Sequence, residues 1–125
     1  MRSGELIAID AANIAEEIES IGRRDRREMR NRLITLLSHL LQWRVQAAAR
    51  SASWACILRA QRLHIQLILE DSPSLRPMAA AMLIQAYEIA RLRAIAKTGF
   101  ADELFPMVCP FTADEVLAPT FLPEA

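Results

Sequence analysis

Between Met29 and Val45 the apolar residues recur with the period of an α-helix, over too much of the circumference for one side alone to be covered. Met29, Leu33, Leu36, Leu37, Leu40 and Trp43 make the main stripe, and Ile34, Leu41 and Val45 widen it. A helix patterned this way needs neighbours on two sides, which places it at the centre of a bundle. Composition agrees with that reading. Apolar residues make up 53% of the chain, with much Ala, Leu and Ile, and Gly is confined to Gly4, Gly22 and Gly99. At 125 residues the chain is long enough for one domain with one core.

On either side of this segment the pattern predicts further helices. Asp10 reads as an N-cap, and Ile14, Ile18 and Ile21, extended back by Ile7 and Ala11, share one face until Gly22 stops the turn. The central helix then runs from about Asp25 to about Ala48. The small and polar stretch from Ala47 to Ser53 reads as a turn, with Ser53 as the next cap. A third helix reaches Asp71, with Trp54, Leu58, Ile65, Ile68 and Leu69 facing inward and Arg59, Arg62 and Gln66 on the opposite side. Ser72-Pro73-Ser74-Leu75-Arg76-Pro77 is a break followed by a helix start, because proline is tolerated only in the first turn. The fourth helix runs to Lys97 with Ala79, Ala80, Ala81, Ala86, Ala90 and Ala94 allowing close backbone approach, and Gly99 ends it.

Beyond Gly99 the chain changes character. Phe100, Phe105, Phe111 and Phe121 are its only phenylalanines, and Thr112-Ala113-Asp114-Glu115 is a capping box that opens one short helix. The phenylalanines are expected to anchor this segment over the bundle. The expected fold is all-α: an antiparallel bundle of four main helices with a Pro/Phe-rich C-terminal arm carrying one short helix. All 125 residues form one domain, with a lead at 1–9, the bundle at 10–99 and the arm at 100–125.

The formal net charge of zero hides a polar arrangement. Residues 23–62 carry ten arginines against Asp25 and Glu28, a balance of +8, while residues 1–22 and 63–125 carry −4 each. Such a middle either grips an anionic partner or is neutralised by its own acidic flanks. No apolar run is long enough for a bilayer and no signal-peptide core follows Met1, so a cytoplasmic location is expected. Cys56 and Cys109 are expected as reduced thiols serving as small apolar residues.

No phosphate loop, His-Glu-x-x-His, Cys-x-x-Cys or nucleophile elbow is present. Ser38 and His39 are adjacent and point to different sides of one helix, so they do not form a proton relay. Two constellations remain. Glu17 with His39, joined by Glu16, could hold a divalent metal ion if two facing helices bring them together, and such an ion could activate water for phosphodiester cleavage. The plainer reading pairs Glu17 with an arginine and lets His39 donate to a neighbour. The basic set is Arg26, Arg27 and Arg30, with Arg23 and Arg24 beside them and Arg59 and Arg62 on the third helix. Arginine contacts phosphate through a planar fork, so an exposed face of this kind could bind nucleic acid. Cations at a helix N-terminus are otherwise unfavourable, and the acids of the preceding helix are placed to neutralise them.

One ordered set of landmarks is more specific than any of these. Glu16-Glu17-Ile18-Glu19 and Gly22 are followed by His39-Leu40-Leu41-Gln42-Trp43, Ser51-Ala52-Ser53-Trp54 and Gln61-Arg62. Ser72-Pro73-Ser74-Leu75-Arg76-Pro77, Ala86-Tyr87 and Ala90-Arg91 come next. Phe105-Pro106, Cys109-Pro110-Phe111-Thr112 and Phe121-Leu122-Pro123-Glu124 complete the series. From about residue 5 onward the chain resembles the bacterial domain-of-unknown-function family number 29. The resemblance implies an all-helical domain without an established activity; some similar members carry an endonuclease label. The family usually opens with a further aromatic-rich helix before the position of Glu5, which this sequence lacks, so an uncovered apolar groove is expected along the bundle. Gln42 stands where a lysine is common in the family.

The functional expectation is a non-enzymatic protein-interaction or self-association module, with no cofactor, no metal and no membrane. Its partner would be a second copy or another protein. The alternatives are nucleic-acid binding through the Arg23–Arg62 region and a metal-dependent nuclease using Glu17 and His39.

Overall fold

The computed structural model describes the backbone of residues 3–123 and, among the first 21 side chains, that of Ile14. The described residues are helical, with no strand among them. Four α-helices follow one another: α1 (Ser3–Val45), α2 (Ala52–Asp71), α3 (Ala79–Thr98) and α4 (Ala113–Leu117), with short 3-10 turns at Ala47–Ala49, Pro73–Met78 and Asp102–Leu104.

The count of four main helices is corrected, because the first two expected helices are one helix of 43 residues. Gly22 does not stop it. Glycine ends a helix by taking a left-handed conformation, and the residue that does so is Gly99, with φ 69°. Inside a helix a single glycine costs about 1 kcal/mol relative to alanine, and no proline stands between Ser3 and Val45 to add to that. Asp25, expected near a helix start, instead accepts a hydrogen bond from Ser72 Oγ and ties α1 to the end of α2.

The central stripe is buried as the spacing predicts. Met29, Leu33, Leu36, Leu37, Leu40 and Leu41 are at most 1% exposed, and Ile34 and Trp43 are buried with them. After Val45 the chain turns sharply. Arg50 donates through Nε to the Trp43 carbonyl at 2.7 Å, satisfying an acceptor left open at the helix end. Its guanidinium lies 5.5 Å from the Trp43 ring, and Trp54 meets that ring edge-on at 5.6 Å. The cap of α2 is Ser51 rather than Ser53, its side chain accepting from Trp54 N. Contacts between the two helices descend α2 as they climb α1: Asp25 with Ser72, Arg32 with Gln61, Trp43 with Trp54.

α3 packs along α1 more extensively than α2 does. Ala79, Ala86, Ala90 and Ala94 are buried on its inner face beside Met82, Leu83 and Tyr87, and Gly99 closes it by donating to the Ile95 carbonyl at 2.9 Å. Beyond it, Phe105, Phe111 and Val116 enter the core and Phe121 packs edge-on against Phe111 at 5.9 Å. Phe100 is exposed, so three phenylalanines anchor the segment rather than four. The capping box forms as read, with Thr112 and Glu115 each bonding the other's backbone.

Candidate functional site

Three regions carry the polar chemistry of the chain, and the continuity of α1 governs two of them. The side chains of Glu16 and Glu17 lie outside the described residues. Their backbone belongs to α1, as does that of His39. Glu17 and His39 are separated by 22 positions of one helix, which is about 33 Å along its axis. One chain therefore does not bring them to a common metal ion, and the facing-helix arrangement expected for them is corrected. Among the described residues no group of three His, Cys, Asp or Glu is placed to hold a metal.

The arginine set is split as well. Arg24, Arg27 and Arg30 are exposed on α1 and Arg26 is half-buried. Arg59 is exposed on α2, but it lies 13 residues before Ser72 and so about 20 Å along α2 from the level of Asp25. Arg62, placed by its helical position on the outer side, is buried at 5% exposure. Its Nε donates to the Val116 carbonyl at 2.9 Å and its Nη2 to the Glu115 carbonyl at 3.4 Å. The guanidinium is thus committed to the C-terminal end of α4, where carbonyls need donors and a cation is favoured. Burial lowers its pKa. Its Nε and Nη2 edge is therefore taken up by the protein's own carbonyls. Arg32 and Glu28, 3.9 Å apart, make a partly exposed i,i+4 contact worth little.

The third region is a groove between α1 and α3 with a volume of about 440 Å³. From α1 it is lined by Thr35, Ser38, His39 and Gln42, and from α3 by Arg93 and Lys97 with Ala96 between them. Gln42 Nε2 donates to Ser38 Oγ at 3.1 Å, and both residues are buried. His39 is half-buried, and its Nδ1 is shut off from water without a hydrogen bond. Its pKa lies below the ordinary imidazole value, chiefly through burial, with the charge of Lys97 pushing the same way. The Thr35 carbonyl, one turn back, pulls in the opposite direction without reaching hydrogen-bond geometry.

A second set of long-range polar contacts is structural. Arg91 donates to the carbonyls of Phe105 and Asp102, each at 3.0 Å, and Tyr87 Oη donates to the Pro106 carbonyl at 2.5 Å. Burial pushes the Tyr87 hydroxyl up to about 12. Cys109 Sγ lies 3.4 Å from the Phe111 carbonyl, burial raises its pKa, and it packs against the core as a free thiol. Cys56 is exposed and does not contribute to the core. His64 is exposed on α2.

The family model described as Domain of unknown function DUF29 matches residues 1–122. The chain belongs to the DUF29 family. No curated protein and no solved structure matches it. No helix among the described residues of this DUF29 chain is long and apolar enough to cross a membrane. The groove facing Arg93 and Lys97 is the part of this DUF29 domain that reading the residues singly missed. Its signal was present: Thr35, Ser38, His39 and Gln42 interrupt the apolar surface of the central helix at i, i+3, i+4 and i+7.

Proposed function

We propose that this DUF29 chain is a non-enzymatic self-association module, and that residues 3–22 of α1 pair with the same segment of a second copy. The observation that carries this reading is the length of α1. At 43 residues it spans about 64 Å, whereas α2 and α3, at 20 residues each, span about 30 Å. The Asp25–Ser72 bond sets the end of α2 at the level of Asp25, so α1 runs on for some 20 residues past its neighbour.

Along that extension Ile7, Ala11, Ile14, Ile18 and Ile21 follow a 4-3-4-3 spacing, the alternation that makes a coiled-coil seam. Ile14, on that seam, is 55% exposed. Charge favours an antiparallel arrangement. A parallel pair would set Glu16, Glu17 and Glu19 beside their own copies, while an antiparallel pair of residues 3–22 sets them level with the uncharged stretch Leu6-Ile7-Ala8-Ile9 of the second copy.

The test is light scattering during size exclusion of the full chain. A dimer is expected, and Ile14→Ser with Ile18→Ser should return it to monomer with unchanged circular dichroism of the bundle. A wild-type monomer at every concentration overturns the reading. The exposure of Arg24, Arg27 and Arg30 within two turns of α1 favours nucleic-acid binding as a second reading. It predicts affinity that falls steeply with salt and is lost when Arg26, Arg27 and Arg30 are replaced by alanine.

A further inference from the structure

The polar stripe of Thr35, Ser38, His39 and Gln42 lies on the helix that is otherwise the most deeply packed of the molecule. Polar groups in such a place are unfavourable unless something answers them. Ser38 and Gln42, at 7% and 8% exposure, answer only each other. Since Ser38 Oγ accepts from Gln42, its own hydrogen is left to donate elsewhere. His39 Nδ1 is buried and unanswered.

Across the groove stand two cations, Arg93 and Lys97, one turn apart on α3 and both exposed. The residue between them on that wall is Ala96, too small to fill the space. No aspartate or glutamate lines the groove, and neither cation has an ion pair among the described residues. Two positive charges, a hydroxyl donor and an imidazole thus converge on an open volume that contains no negative group. That volume, about 440 Å³, falls within the range of small-molecule sites, about 300–1,000 Å³, and exceeds what a bare ion requires.

We infer that the groove between α1 and α3 binds a small organic oxyanion, its phosphate or carboxylate held by Arg93 and Lys97 and its remainder seated against Ala96 and the Ser38–Gln42 pair. Arginine supplies the planar fork and lysine a point charge, a combination suited to a tetrahedral or planar oxyanion. Lys97 already bears on the ionisation of His39, so its charge is felt at the floor of the groove. The site is independent of how the extension of α1 is occupied, and binding here would leave the oligomeric state free to vary.

The test is titration of the full chain with phenyl phosphate, benzoate and inorganic phosphate, followed by backbone amide and imidazole NMR shifts. Saturable shifts at Ser38, His39 and Ala96 in the millimolar range or below are expected. Stronger binding of phenyl phosphate assigns a phosphate ligand, and stronger binding of benzoate a carboxylate. Both cationic side chains are exposed, so Arg93→Gln with Lys97→Gln should leave thermal unfolding unchanged while weakening binding at least tenfold. Arg76→Gln, at an exposed arginine outside the groove, should leave affinity unchanged. The inference is overturned if none of the probes produces saturable shifts at the groove. It is equally overturned if Arg76→Gln weakens binding as much as the double variant, since the attraction would then be diffuse.

Discussion

The two halves of α1 share one register and one kind of stripe, yet they differ completely in what surrounds them. Ile14 and Leu36 stand 22 residues apart, about six turns, and so lie on nearly the same face of the helix. Leu36 is 0% exposed and Ile14 is 55% exposed. Residue type does not separate them. What separates them is that α2 and α3 are less than half as long as α1 and cover only its second half. An amphipathic stripe specifies that something must cover a face; the lengths of the neighbours decide whether the same chain supplies the cover.

The contrast is most sharply broken by truncation. Leu40→Ala should cost about 2–5 kcal/mol in urea unfolding, because it leaves a cavity in a fully enclosed site. Ile14→Ala, measured at concentrations where the chain is monomeric, should stay within about 0.5 kcal/mol. Similar costs at the two positions would mean that the extension is covered by its own bundle. Next in size is Arg62→Ala, expected to cost about 2–3 kcal/mol by removing charge-assisted donors from two carbonyls of the α4 end. Arg59→Ala, three residues away and exposed, should barely register in the same assay.

Gly22→Ala addresses the junction of the two halves. In a continuous helix it should stabilise by about 0.5–1 kcal/mol, since the added Cβ would meet only Arg26 Nη1 at 3.6 Å, an ordinary contact. A loss of stability would instead indicate a turn at that position. The smallest effect concerns pH. The folded pKa of His39 lies below its ordinary 6.5, so below that pH the unfolded chain takes up a proton that the folded one resists. Stability should therefore fall as pH drops from about 6.5 and level off beneath the folded value. Lys97 across the groove adds to that resistance, and His39→Gln should flatten the dependence of the urea midpoint on pH.

What could be read from residues alone follows the range of the interactions involved. The stripe from Met29 to Trp43, the stop at Gly99 and the Thr112/Glu115 box depend on spacing within a turn or two, and they stand as read. The end expected at Gly22 failed because glycine permits a left-handed turn without requiring one, and no adjacent proline forces the choice. Arg62 was misplaced because a helical wheel treats arginine as solvent-seeking, while its acceptors lie 53 and 54 residues further along. The pairing of Glu17 with His39 rested on the turn at Gly22, and it went when the turn did. The groove was half visible, since its α1 stripe is local and its two cations come from a different helix.

The clasp between Arg62 and the carbonyls of α4 also bears on how the chain is made. Arg62 leaves the ribosome 54 residues before the carbonyl it must reach at Val116. Until then its place in the growing bundle holds a charged group without acceptors, which favours keeping that side of α2 open to water. The domain should consequently reach its final form only once Val116 has been made, through closure of one long loop. A nascent chain stopped short of residue 113 would carry α1, α2 and α3 and still be protease-sensitive, with α4 acting as the latch.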